Sequence, residues 1–344
     1  MSGFECVMGR LLGRGIVVHG GAGAYLQSTT EAQRVRRGDA LEAAVQVGLG
    51  QSDGRKAVLA AVAHMEADER FNAGHGAKLQ RDGMCRLSAA LMDGQQSRMS
   101  SVYNVKDCAH PSALTDLLQA QGDRHLDGEG AAALMRVMDV APVDVRTERT
   151  LARWKELSSM GERLDPEAAI GDADDRDLQK TLEAGVDVPR DFRGDVPDDP
   201  ENRYGTVGAV GVGLDGCLWA CTSTGGRGHE TPGRISDSPT PAGTYACPQV
   251  ALSATGFGEQ ILDLNVCGRI ATRMIDGADL RAALERTFEE VVAFGGLLGV
   301  IAVGSDGAVG YAYTTEAMGV AWGDLSGNSH RDRAGMSDGV LGLG

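Results

Sequence analysis

Apolar residues recur along this chain at two spacings, one helical and one alternating. Ile16–Val18 is a short apolar run ending in His19-Gly20-Gly21-Ala22-Gly23, which reads as a buried strand entering a glycine loop. Residues 30–50 are rich in helix formers, with Leu41, Ala44, Val45 and Gly48 at helical spacing. A second helix is predicted over 55–67, followed by a glycine-rich turn at Phe71-Asn72-Ala73-Gly74-His75-Gly76. Residues 77–81 and 84–92 flank Asp82-Gly83, a hairpin signal. Helical stretches follow around 111–121 and 129–139.

From about 142 to 204 the periodicity fades. The second half, from about 159, is acidic and punctuated by proline, so 159–203 is predicted to be a mobile surface segment. A structureless stretch of that length inside a compact domain calls for a use. Beyond it the chain turns strongly β. Residues 206–213 and 217–222 surround Asp215-Gly216, and residues 297–304 and 308–315 surround Asp306-Gly307; both pairs read as hairpins. Between them lie a strand at 249–254 and helices at about 258–276 and 279–293, the latter with Leu280, Leu284, Phe288 and Val291 on one face. Strands with helices in both halves suit two largely antiparallel sheets covered by helices, an α/β fold of the four-layer αββα type.

Composition sharpens this. Length alone allows one large domain or two ordinary ones. The 49 glycines follow no three-residue repeat, which excludes collagen and points to tight turns and close backbone approaches. Aromatics are scarce, so the core must rest on Ala, Val, Leu and Met. A formal charge of −15 disfavours nucleic acid and anionic membranes as partners. Seven cysteines, an odd number without a CxxC or Cys/His cluster, fit reduced thiols in a cytosolic protein better than a disulfide framework or zinc site. Cys217 and Cys221 fall in strand-like runs, where a thiol acts as a small hydrophobe. Arg10 and Arg14 interrupt the stretch from Met8 to Val18, so no signal-peptide core forms, and no run reaches membrane-spanning length. A cytoplasmic location is expected.

Thr206 carries the first candidate chemistry. It opens a glycine-rich strand directly after the acidic segment. Threonine is common in strands, so residue type alone favours a structural role. Position changes the balance. A threonine hydroxyl needs a base to act as a nucleophile. At a chain terminus it carries its own, because a free α-amine has a reference pKa of ~8 and can take the hydroxyl proton. Cutting before Thr206 would create that amine, and Gly205 leaves the bond sterically open. Thr224, in Thr222-Ser223-Thr224-Gly225-Gly226, ends the partner strand and is expected near Thr206 by cross-strand pairing. Thr255-Gly256-Phe257-Gly258-Glu259 follows a strand and opens a helix, either as an oxyanion site or as plain capping by Thr255. Arg234 and Asp237, in a loop from Pro232 to Pro239, could hold an α-carboxylate and an α-ammonium, or form an ordinary surface pair.

Together these motifs resemble the plant-type L-asparaginase and isoaspartyl peptidase family of N-terminal-nucleophile threonine hydrolases. The resemblance includes His19–Gly23, Phe71–Gly74, Met92-Asp93-Gly94, Gly128-Glu129-Gly130-Ala131, Gly205–Val210, Thr222–Gly226, Pro232–Pro239 and Thr255–Glu259. It runs almost end to end, and only 159–203 has no counterpart. It implies a single domain over 1–344 that cuts itself into an α chain, 1–205, and a β chain, 206–344. By resemblance Thr206 is the nucleophile, Thr224 its hydroxyl neighbour, and Thr255 with Gly256 the oxyanion hole. Arg234 binds the substrate α-carboxylate, Asp237 with the Gly258 backbone its α-ammonium, and Asn72 sits beside the site. No cofactor is required. The turn containing Glu66 and Phe71 matches a sodium loop whose ligands are mainly backbone carbonyls, a sensible cage for a hard cation. His19 and His75 read as structural. The implied activity is hydrolysis of β-aspartyl dipeptides and L-asparagine through an acyl-enzyme, by a dimer of αβ units. A glycosylasparaginase-like or sequence-specific threonine peptidase of the same fold, or a non-cleaving amino-acid binder, are the alternatives. The chain departs from the family at Ser88-Ala89-Ala90, at Tyr204 and at Phe257.

Overall fold

The computed structural model describes residues 3–23, 30–164 and 205–331. The first half contains β1 (Glu5–Arg10), β2 (Gly15–Gly23), α1 (Glu31–Leu49), α2 (Gly54–Glu66), β3 (Leu87–Asp93), β4 (Arg98–Val105), α3 (Pro111–Leu118), β5 (His125–Leu126), α4 (Gly128–Val137) and α5 (Glu148–Leu164). The second half contains β6 (Val207–Val212), β7 (Leu218–Thr224), β8 (Thr244–Ala246), β9 (Val250–Gly256), α6 (Gly258–Leu264), α7 (Val266–Ile275), α8 (Leu280–Phe294), β10 (Leu298–Gly304), β11 (Ala308–Tyr313), β12 (Ala317–Asp324) and β13 (Ser329–Arg331).

The strands form two sheets. One has eight strands in the order β13-β12-β2-β6-β7-β3-β4-β5, the other five in the order β1-β11-β10-β9-β8. Every pairing is antiparallel except β4 with β5. Val17, Met92, Val210 and Ala220 of the larger sheet share one apolar cluster with Ala251, Ile301 and Tyr311 of the smaller. On its other face the larger sheet packs Ile16, Val18, Ala209 and Cys221 against α1 and α2. The smaller sheet packs Leu252, Ala254 and Val300 against Ile261, Ile270, Leu284 and Phe288 of α6, α7 and α8. Antiparallel-rich sheets with helices on both sides are thus the α/β arrangement expected. Among the described residues no helix is long and apolar enough to cross a membrane. All seven cysteines are free, Cys217 just ahead of β7 and half-buried.

Several elements differ from the sequence expectation. The glycine loop at 19–23 is strand: β6 pairs β2 as far as His19, and β12 carries the ladder on to Ala22 and Gly23. Asp82-Gly83 is a turn, closed by Gly83 N–H donating to Gln80 O at 2.9 Å, but no ladder flanks it. The strand in that region is β3, paired with β4 and β7. The segment predicted to be mobile from 159 is helical as far as Leu164; 165–203 lies outside the described residues. The helix predicted over 258–276 breaks at Asn265, which takes the left-handed conformation at φ 46° that asparagine tolerates. β9 runs on through Gly256, so Thr255 is a strand residue and not a helix cap; Phe257 holds the cap position of α6 without a side-chain hydrogen bond.

Candidate active site

Strand alternation builds the site. On β6, Val210 and Val212 face the other sheet while Val207 and Ala209 face the helices. Thr206 has the parity of Val210 and so belongs to the face between the sheets. The same count puts Thr222 and Thr224 on that face through Ala220, Ser253 and Thr255 through Ala251, and His19 through Val17. Six polar side chains therefore enter an otherwise apolar layer at one end of the sheets.

All but Thr255 are hydrogen-bonded within the layer, as buried polar groups usually are. Val207 pairs with Ser223, which sets Thr206 opposite Thr224. Thr206 Oγ1 donates to Thr224 Oγ1 at 3.1 Å and lies 3.3 Å from Ser238 Oγ. Behind it, Thr244 Oγ1 lies 2.8 Å from Ser238 O and 2.5 Å from Thr222 Oγ1. Thr222 Oγ1 then lies 2.7 Å from Ser253 Oγ, which is 2.8 Å from His19 Nε2. All of these residues are buried. Desolvation pushes His19 down to about 3, so this imidazole is neutral at physiological pH. Ser238 carries no distinguishing local signal; only the tertiary fold brings it to Thr206.

Gly208 makes room for this chain. A Cβ there would lie 2.0 Å from Ser253 Oγ and 2.4 Å from His19 Nε2. Gly208→Ala is expected to cost about 1–3 kcal/mol, the usual range for overpacking a tight core. A denaturant midpoint unchanged from wild type would contradict this reading of Gly208.

Thr206 and Thr224 line a cavity of about 100 Å³ together with Arg234, Asp237, Gly256 and Gly258. Four motifs separated in sequence thus meet at one place. Thr255 Oγ1 is fully buried without a hydrogen-bond partner, 3.9 Å from where a Cβ on Gly205 would stand. Gly256 has φ 134°, and a Cβ there would lie 2.5 Å from Leu297 O, so only glycine fits. At Gly258 a Cβ would lie 2.6 Å from Arg234 Nη2 and 2.8 Å from Asp237 Oδ1, so both side chains approach the start of α6.

The surface-pair reading of Arg234 and Asp237 is replaced by a different arrangement. Arg234 Nε and Nη2 donate to Glu259 Oε1 and Oε2 at 2.8 and 2.9 Å, a two-pronged pair in which Glu259 is the unforeseen member. Burial opposes ionisation of Glu259, but the Arg234 hydrogen bonds outweigh it and hold its carboxyl below the usual range. Asp237 is only 3% exposed and its Oδ2 has no partner. Burial raises its pKa to about 7, against the pull of the Arg234 charge.

Asn72 stands one layer behind the cavity. Its Nδ2 donates to Gly226 O at 2.5 Å, its Oδ1 accepts from Lys78 N–H at 2.9 Å, and its backbone O accepts from Gly225 N–H at 2.9 Å. It therefore pins the turn that follows Thr224. Of the departures from the family pattern, Ser88 pairs with Thr224 across β3 and β7 and accepts from Asn104 N–H at 3.1 Å. Tyr204 lies outside the described residues.

At the predicted cation loop the Glu66 carboxylate is already engaged, accepting from Ser112 Oγ at 2.7 Å and Ser112 N–H at 3.1 Å. The Glu66 and Phe71 carbonyls abut glycines. A Cβ at Gly74 would lie 2.1 Å from Glu66 O, and one at Gly76 would lie 1.7 Å from Phe71 O. Both carbonyls thus face backbone without side chains. Among the described residues no group of three or more His, Cys, Asp or Glu could hold a metal ion.

A model of the asparaginase family matches residues 13–331. An isoaspartyl peptidase/L-asparaginase from Nostoc sp. is 34% identical over 315 residues, covering 90% of this chain and 91% of the relative. An isoaspartyl peptidase from Escherichia coli is 34% identical over 325 residues, 90% of this chain and 92% of the relative. A plant-type L-asparaginase from Pyrobaculum calidifontis is 35% identical over 321 residues, 90% of this chain and 96% of the relative. The family match spans the Thr206 strand and every loop that lines its cavity, and the chain belongs to the asparaginase family.

Proposed function

We propose that this chain is a self-cleaving threonine amidohydrolase that hydrolyses β-aspartyl dipeptides and L-asparagine. Its two sheets and flanking helices are read as the four-layer αββα sandwich of N-terminal-nucleophile hydrolases, in one domain over 1–344. The observation that carries the reading is the placement of Thr206 Oγ1, hydrogen-bonded to Thr224, in a cavity shared with Arg234 and Asp237. The names of the relatives supply the substrate class.

In the precursor, Thr206 Oγ1 adds to the Gly205 carbonyl carbon. The peptide C–N bond breaks, the hydroxyl proton ends on the new α-amine, and an ester joins Gly205 to Thr206 Oγ1. Water hydrolyses that ester, leaving chains 1–205 and 206–344. In turnover the α-amine takes the Oγ1 proton as Oγ1 adds to the substrate's β-carbonyl. Thr255 Oγ1, buried and without a partner, and the Gly256 N–H stabilise the oxyanion. The C–N bond breaks, the leaving nitrogen receives the proton, and ammonia or an amino acid departs. Water then cleaves the aspartyl ester and restores the Thr206 hydroxyl. Arg234 and Asp237 orient the substrate by its α-carboxylate and α-ammonium. Ser238 Oγ, 3.3 Å away, is a second hydroxyl neighbour of Thr206 Oγ1.

No step needs a cofactor. A sodium ion, where bound, supplies charge that rigidifies a loop, and the Glu66 and Phe71 carbonyls would hold it. Asn72, on that loop, passes the order to the Gly225–Gly226 turn. The working form is read as a cytoplasmic dimer of αβ units. The test is incubation of the purified protein with L-asparagine and hydroxylamine. Aspartate together with β-aspartyl hydroxamate is expected, since hydroxylamine intercepts an acyl-enzyme; the absence of both would refute the reading.

A further inference from the structure

Two cations besides Arg234 line the Thr206 cavity, and both come from one edge of it. They are Lys78 and Arg227. Arg227 follows the turn that Asn72 pins, and its backbone N–H donates to Glu230 Oε1 at 3.2 Å. The aliphatic stem of Lys78 lies against Gly228, where a Cβ would stand 2.9 Å from Lys78 Cδ. The Arg227 guanidinium sits 5.4 Å above the centre of the Phe257 ring, a cation–π arrangement. Phe257 in turn joins Gly256 and Gly258, which both line the cavity. Glu259 lies 4.0 Å from Arg227, while its closer contacts, at 2.8 and 2.9 Å, are to Arg234. Lys78 and Arg227 thus bring two cations to this edge, beside the Phe257 ring and close to the carboxylates of Glu230 and Glu259.

L-Asparagine gives such an edge nothing to hold, because its leaving group is ammonia. A β-aspartyl dipeptide releases an amino acid that bears a free α-carboxylate and a side chain. A guanidinium fork matches a carboxylate, and a ring face offers apolar contact to a side chain. Resting on the reading of Thr206 as nucleophile, we propose that Arg227, Lys78 and Phe257 form a subsite for the leaving amino acid of a β-aspartyl dipeptide. Arg227 and Lys78 take its α-carboxylate, and Phe257 takes an apolar or aromatic side chain.

The test compares kcat/KM of the self-cleaved enzyme for β-aspartyl-phenylalanine, for the same dipeptide with its C-terminus amidated, and for L-asparagine. The free acid is expected to exceed the amide by about tenfold, the scale of one charge-assisted hydrogen bond. Arg227→Met should lower that ratio, Arg227→Met combined with Lys78→Met should bring it close to unity, and Phe257→Ser should reduce the preference for β-aspartyl-phenylalanine over β-aspartyl-glycine. Equal rates on acid and amide in the wild type would overturn the subsite, and that comparison stands even if Arg227→Met fails to fold. If L-asparagine is hydrolysed without preference for the acid, the subsite alone falls. If none of the three substrates is hydrolysed, the reading of Thr206 falls with it.

Discussion

Thr206→Ala is expected to yield one uncut chain of 344 residues with no detectable hydrolysis of L-asparagine. The physical reason is that one residue supplies two groups. In the proposed mechanism its Oγ1, 3.1 Å from Thr224 Oγ1, is the attacking atom in both self-cleavage and turnover. Its backbone nitrogen becomes the base only after cleavage. Removing the oxygen therefore stops processing, and without processing no terminal amine exists. The loss should exceed that from any other single site residue, because it removes nucleophile and base together. A denaturing gel reads the first part and an aspartate assay the second. Normal cleavage of Thr206→Ala would mean that another group cuts the chain.

The second large effect is at Asp237. Asp237→Asn keeps the shape but removes the charge proposed to hold the substrate α-ammonium. Truncating one partner of a buried charge pair costs about 2–5 kcal/mol, which corresponds to a fall in kcat/KM of about 30- to several-thousand-fold. The effect should lie mostly in KM. The wild type should also show the titration of this group. Burial raises the Asp237 pKa to about 7, so the carboxyl is protonated below that value and ionised above it. Only the ionised form attracts an ammonium, and kcat/KM should therefore rise with pH through about 7. In Asp237→Asn that limb should vanish, leaving the limb of the Thr206 α-amine, whose reference value is ~8. A pH profile unchanged by Asp237→Asn would remove this residue from substrate binding.

The parts of this architecture that sequence exposes are those set by local chemistry. The β6–β7 and β10–β11 hairpins follow from Asp-Gly turns at 215–216 and 306–307, where Gly216 and Gly307 adopt φ 77° and 84°. The helix over Leu280, Leu284, Phe288 and Val291 follows from periodicity, and those four residues are buried. Glycine misleads where it serves packing instead of turning. A Cβ at Gly20 would lie 2.6 Å from Phe71 Cε1, so this glycine lets a strand pass under an aromatic ring, and the strand continues.

The placement of Thr206, Thr224, Arg234, Asp237 and Gly258 around one cavity could be anticipated because each sits in a compact motif. Glu259 as the partner of Arg234 could not, since Asp237 is the nearer acid in sequence. The chain from Thr222 through Ser253 to His19 is likewise silent in the sequence. His19 and Ser253 are 234 residues apart and meet only because both sheets turn the same parity inward. The contact of the Glu66 carboxylate with Ser112 at the start of α3 is also silent in the sequence, because the two residues lie 46 positions apart.

The most direct measurement is the intact mass and N-terminal sequence of the purified wild-type protein under denaturing conditions. Two polypeptides are predicted, the smaller beginning Thr-Val-Gly-Ala-Val from Thr206, with activity appearing as they form. A fully active preparation made of one continuous polypeptide, or of fragments cut anywhere other than between Gly205 and Thr206, would contradict the account.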